Sequence, residues 1–172
     1  MDRRSALLAP AAAALLALLA ACAQPAKRTQ GQAFWSGRLA LRVEGNEKQS
    51  FSAAFELVGA AAQGTLTLFS PLGSTLAHIE WHPGGALLRS GEDTRNFNSL
   101  DELLESTTGS PLPVRALFDW LLGIDTALAG WRTDLAGLPD GRLTAQRLQP
   151  APVLHLRVVL DQSGMGQPKA TP

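Results

Sequence analysis

Two stretches of strict alternation constrain the fold more than any other feature. Over residues 35–44, Trp35, Gly37, Leu39, Leu41 and Val43 occupy one face and Ser36, Arg38, Arg42 and Glu44 the other. Over residues 49–57, Phe51, Ala53, Phe55 and Leu57 stand opposite Ser50, Ser52 and Glu56. A period of two belongs to a strand with one buried and one solvated face. Gly45-Asn46 supplies a turn between them. The pattern returns at 65–69, where Leu66 and Leu68 share a face, and at 75–81, where Ala77, Ile79 and Trp81 do. Pro83-Gly84-Gly85 then turns the chain into 86–89. Short strands joined by short turns predict an antiparallel meander.

The period then changes. Ser99-Leu100-Asp101-Glu102 has the spacing of a capping box, and Leu100, Leu103 and Leu104 form a helical stripe that breaks at 107–110. Pro113 suits the first turn of a second helix carrying Val114, Leu117, Phe118, Leu121 and Leu122, with Gly123 at its C′ position. Extended patterns follow at 130–135, 142–148 and 153–160; in the last, Leu154, Leu156, Val158 and Leu160 oppose His155 and Arg157. The expected class is mainly β, of the α+β kind. The helices each have one apolar face, which at the least packs on the sheet.

The beginning of the chain reads as an address. Arg3 and Arg4 precede an apolar run over 6–21 that is too short to span a membrane and ends in small residues. It closes on Leu19-Ala20-Ala21-Cys22, a bacterial lipobox, so Cys22 is expected to carry the lipid after removal of residues 1–21. Ala23, where an aspartate would favour inner-membrane retention, fits the outer membrane. Residues 22–32 then form a tether, 33–161 a single domain and 162–172 a loose tail. Cys22 is the only cysteine in 172 residues, which excludes an intrachain disulfide and a cysteine-cluster metal site. A net charge of zero without a Lys/Arg cluster argues against nucleic acid.

No catalytic constellation is visible. Gly-x-Ser-x-Gly elbows, phosphate loops and dinucleotide fingerprints are missing from the sequence. His78-x-Glu80-x-His82 puts three possible ligands on one strand face, but steps of about 7 Å per two residues are too wide for one ion. A polar solvent face is the better reading. Ser70-Pro71-Leu72-Gly73-Ser74 is the unusual segment: turn chemistry with a leucine at the tip. Leu72 either folds back on the core or stays outward, where it would meet a membrane or a partner.

These residues carry a resemblance. Trp35-Ser36-Gly37-Arg38-Leu39-Ala40, the aromatics Phe51 and Phe55, Leu68-Phe69-Ser70-Pro71-Leu72-Gly73-Ser74-Thr75, Leu112-Pro113-Val114-Arg115-Ala116-Leu117 and Trp120-Leu121-Leu122-Gly123 resemble the LolB family of outer-membrane lipoprotein receptors. The resemblance covers most of the chain after Cys22. It implies an incomplete antiparallel β-barrel with a short helical lid over an apolar cavity. It implies a non-enzymatic monomer without cofactor or metal, anchored to the outer membrane and facing the periplasm. Its partners would be the periplasmic carrier LolA, acylated lipoproteins as cargo and the inner leaflet of the outer membrane.

The acyl-chain cavity would be lined by Trp35, Leu41, Phe51, Phe55, Leu66, Leu68, Ile79 and Trp81 from the sheet. Leu117, Phe118 and Leu121 would line it from the lid. Pro71, Leu72 and Gly73 would form the membrane-insertion loop. The chain shows fewer strands after the second helix than the family usually carries, which implies a shorter sheet edge or a more open cavity. A soluble carrier of the same fold should lack Cys22. A lipoprotein that uses the same barrel as a protein- or lipid-binding module, without transport, is the alternative.

Overall fold

Alternation is realised as a ladder. β1 (Phe34–Val43) pairs antiparallel with β2 (Phe51–Ala60), placing Leu41 opposite Phe51 and Gly37 opposite Phe55. β3 (Gln63–Phe69), β4 (Thr75–His82), β5 (Gly85–Ser90) and β6 (Asp93–Phe97) continue the meander, each antiparallel to the last. The computed structural model describes residues 32–109 and 112–161. The expected signal peptide 1–21, the expected anchor Cys22, the expected tether up to residue 31 and the expected tail 162–172 lie outside the described residues.

After the helices the chain adds β7 (Trp131–Asp134), β8 (Arg142–Arg147) and β9 (Leu154–Leu160). β9 returns to pair with β1, so the nine-stranded sheet runs β6-β5-β4-β3-β2-β1-β9-β8-β7. The last strand is therefore interior, and β6 and β7 are the edges. They do not pair with each other, which leaves the barrel incomplete. Gly37 is required where β1 meets β9, because a Cβ there would lie 2.0 Å from the Val159 carbonyl oxygen.

The two helices come between the edge strands in sequence. α1 (Leu100–Thr108) packs on β5 and β6. Ser99 Oγ accepts from the Glu102 amide at 3.1 Å, while Glu102 Oε2 accepts from the Asn98 amide at 2.9 Å. The reciprocal cap thus reaches one residue further back than the sequence pattern implies. α1 runs through Thr108, past the expected break; the hydroxyls of Thr107 and Thr108 donate to carbonyls of the preceding turn. Gly109, at φ 69°, ends it.

α2 (Val114–Leu121) begins one residue after Pro113, which holds the N-cap rather than a place in the first turn. Among the described residues no helix is long and apolar enough to cross a membrane.

The inner faces make the core. Trp35, Phe55, Leu57, Ile79, Trp81, Leu88, Leu143 and Val158 meet Leu103, Phe118 and Trp120 of the helices in one buried cluster. Two features depart from the sequence reading. β6, with the sequence Asp-Thr-Arg-Asn-Phe, carries no alternation because it is an exposed edge. Leu122, counted in the α2 stripe, is 55% exposed because it is the C-cap, after the turn that packs.

Candidate functional site

The sheet curves around the helices without being filled by them. Between them lies a cavity of about 560 Å³, within the size range of ligand sites of roughly 300–1,000 Å³. Leu41, Phe51, Phe55, Leu66, Leu68, Ile79 and Trp81 line it from the sheet. Leu117, Phe118 and Leu121 line it from α2. Cross-strand register explains the grouping: Phe55 faces Leu68, Leu57 faces Leu66, Leu66 faces Ile79 and Ile79 faces Leu88, one row after another on the same face.

Trp35 is the exception among the expected lining residues. It is 2% exposed and lies outside the lining, with its ring edge-on to Phe118. It belongs to the buried core cluster. Sequence reasoning also missed lining residues. Leu39, Leu57, Leu88 and Trp131 sit on strands whose alternation could have found them, whereas Trp120 does not. Trp120 is fully buried, donates its Nε1–H to the Thr126 carbonyl at 3.0 Å and tilts against Trp131, ring centroids 5.8 Å apart.

The cavity opens at one end of the sheet. Two large hydrophobic lining residues stay substantially exposed, Phe51 at 40% and Leu76 at 46%. Both sit at the ends of their strands nearest the 70–74 turn. The α1 C-terminus, through Ser106, Thr107 and Thr108, closes part of the same rim.

The turn itself is built from local hydrogen bonds. The Gly73 amide donates to the Ser70 carbonyl at 2.9 Å, and Ser70 Oγ accepts from the amides of Leu72 and Ser74. Pro71 occupies the second turn position, where its fixed φ suits the geometry. Gly73 takes φ 82°, which a residue with a Cβ rarely adopts. Leu72 is thereby held outward at 94% exposure. Of the two readings open from sequence, the outward one holds.

The His78 and Glu80 side chains bond to each other, and His82 is engaged apart from them. Glu80 forms an ion pair with Arg89 and accepts from His78 Nε2 at 3.2 Å, while His78 Nδ1 meets Thr67 Oγ1 at 2.9 Å. His82 Nδ1 accepts from the Gly84 amide at 3.0 Å. The hydrogen bond from Arg89, the largest influence, holds the Glu80 carboxyl below its ordinary pKa; burial pushes it up, and the charges of Arg89 and His78 add to the lowering. Elsewhere, burial lowers the pKa of Arg147, whose Nη2 donates to the Pro152 carbonyl at 3.1 Å.

The chain is similar to known proteins along its length. A family model described as outer membrane lipoprotein LolB matches residues 32–153. The outer-membrane lipoprotein LolB of Bordetella petrii is 32% identical, covering 88% of this chain and 90% of the relative. That of Halorhodospira halophila is 37% identical over 62% of each chain. That of Bordetella pertussis is 36% identical over 63% of this chain and 58% of its own.

Proposed function

The chain belongs to the LolB family of outer-membrane lipoproteins, and from that premise we propose that it is an anchored receptor. It accepts acylated lipoproteins and inserts them into the inner leaflet of the outer membrane. The observation that carries this reading is the open apolar cavity of about 560 Å³. Protein interiors are ordinarily packed to leave few voids larger than a water molecule. Room kept open and apolar between a sheet and two short helices suits acyl chains, each methylene of which gains about 0.8 kcal/mol on leaving water.

The parts divide the work. The lipid on Cys22 confines the domain to the membrane, since two or three chains hold where one does not. The periplasmic carrier LolA presents its cargo at the rim formed by Phe51, Leu76 and the end of α1. The chains exchange one apolar surrounding for another, so the step needs no large driving force. Leu72, outward beside that rim, enters the headgroup–acyl boundary and brings the opening to the bilayer. The cargo is transferred without a bond being made or broken, by a single copy of the chain.

The test is reconstitution. Lipidated protein is placed in phospholipid vesicles and mixed with LolA carrying a labelled lipoprotein. The label is expected to move to the vesicles only when the receptor is present. Label that stays on LolA, or moves equally to bare vesicles, contradicts the proposal.

A further inference from the structure

One charged side chain interrupts the apolar lining. Arg95 lies on β6 directly opposite Leu88 of β5, which is 5% exposed, so Arg95 shares the inward face. Its guanidinium carbon sits 5.8 Å from the centroid of the Phe97 ring, and the side chain lines the cavity. Among the described residues Arg95 makes no ion pair. Three lining hydroxyls are already committed: Ser90 donates to Leu76, Thr107 to Leu103 and Thr108 to Leu104, each at a backbone carbonyl. The rim thus presents a forked set of N–H donors next to an apolar chamber.

Acyl chains attached to a protein carry oxygen only where they join it: ester carbonyls on the glycerol and an amide carbonyl on the cysteine nitrogen. Chains inside the chamber bring those carbonyls to its rim. A carbonyl taken from water without a hydrogen-bond partner is destabilised. Arg95, exposed at the rim and counted among the lining side chains, can supply the donor there. We propose that Arg95 is the polar stop of the cavity, donating to the ester and amide carbonyls of the cargo lipid and so setting how deep the chains enter. This rests on the acyl-chain reading of the cavity.

The experiment compares two probes on the Gly31–Pro172 unit, within which all the strands, both helices and the core described above lie. One probe is a tripalmitoylated cysteinyl peptide; the other is diphenylhexatriene, an apolar dye with no oxygen. Arg95→Met keeps an apolar stem and removes the donors. It is expected to weaken lipopeptide binding about tenfold, the loss of one charge-assisted hydrogen bond, and to leave dye binding unchanged. Arg95→Lys is expected to recover part of the loss. Arg95→Met with unchanged lipopeptide affinity overturns the proposal, as does an equal loss for both probes, which would make Arg95 structural. A wild-type unit that binds neither probe overturns the acyl-chain reading itself and this assignment with it.

Discussion

Trp35 and Phe118 meet edge to face, ring centroids 5.6 Å apart and planes at 73°. Phe118 also tilts against Trp81, at 6.3 Å. One helix residue therefore joins Trp35, which is buried outside the cavity lining, to Trp81, which is part of it. The contact packs α2 against the first strand.

Trp35→Ala is expected to cost about 3–5 kcal/mol, as large-to-small changes in a filled core do. Urea denaturation measures it. Because Trp35 lies outside the lining, Trp35→Phe should restore most of that stability while leaving acyl-chain uptake unaltered. A loss of uptake at full stability would place Trp35 in the site.

That distinction was not legible in the sequence. Trp35 and Trp81 stand on alternating strands with the same neighbours in pattern, and periodicity reports only which face is inward. Whether an inward side chain meets another or meets empty space depends on where α2 lands. The strands from β1 to β5 were readable because one face is apolar and the other polar. β6 was not, because both faces of Asp93, Thr94, Arg95 and Asn96 are exposed. Trp120 escaped because α2 is covered on two sides, by the sheet and by the 124–128 segment, so its buried arc exceeds a single stripe.

Leu72→Glu is expected to leave stability within about 0.5 kcal/mol of wild type, since the side chain touches little in the fold. Acceptance of lipoprotein from the carrier should persist, and release into vesicles should fall sharply. A thermal melt and the two steps of the transfer assay separate these effects. Unfolding, or failure to accept cargo, would assign Leu72 to the core or the cavity.

Cys22→Ala is expected to give a folded protein recovered in the soluble periplasmic fraction. Transfer should survive in part, because the anchor confines the receptor and does not form the chamber. Fractionation and a melt suffice. A wild-type chain found soluble and without lipid would remove the anchor from the account.

Glu80 gives the stability a pH dependence of known sign. Its folded pKa is lowered, chiefly by the hydrogen bond from Arg89, so its contribution is present above the ordinary glutamate value of about 4.3 and is lost as pH falls through the lower folded value. Glu80→Gln should flatten the acid limb of a stability-against-pH curve by lowering stability at neutral pH, modestly because the pair is partly exposed, while leaving the acid end unchanged. A curve that keeps its acid limb would show that Glu80 does not cause it.

The central claim is that cargo chains occupy the inside of the sheet. Leu66 and Thr67 are adjacent on β3 and face opposite ways, Leu66 into the chamber and Thr67 toward His78 on the outer face. A photo-crosslinking phenylalanine analogue at each position, in cells making labelled lipoprotein, reads the two faces separately. Crosslinks are expected from position 66 to the lipid part of the cargo, and none from position 67. Crosslinks from 67 in place of 66 would contradict it, because the chains would then lie on the outside of the sheet.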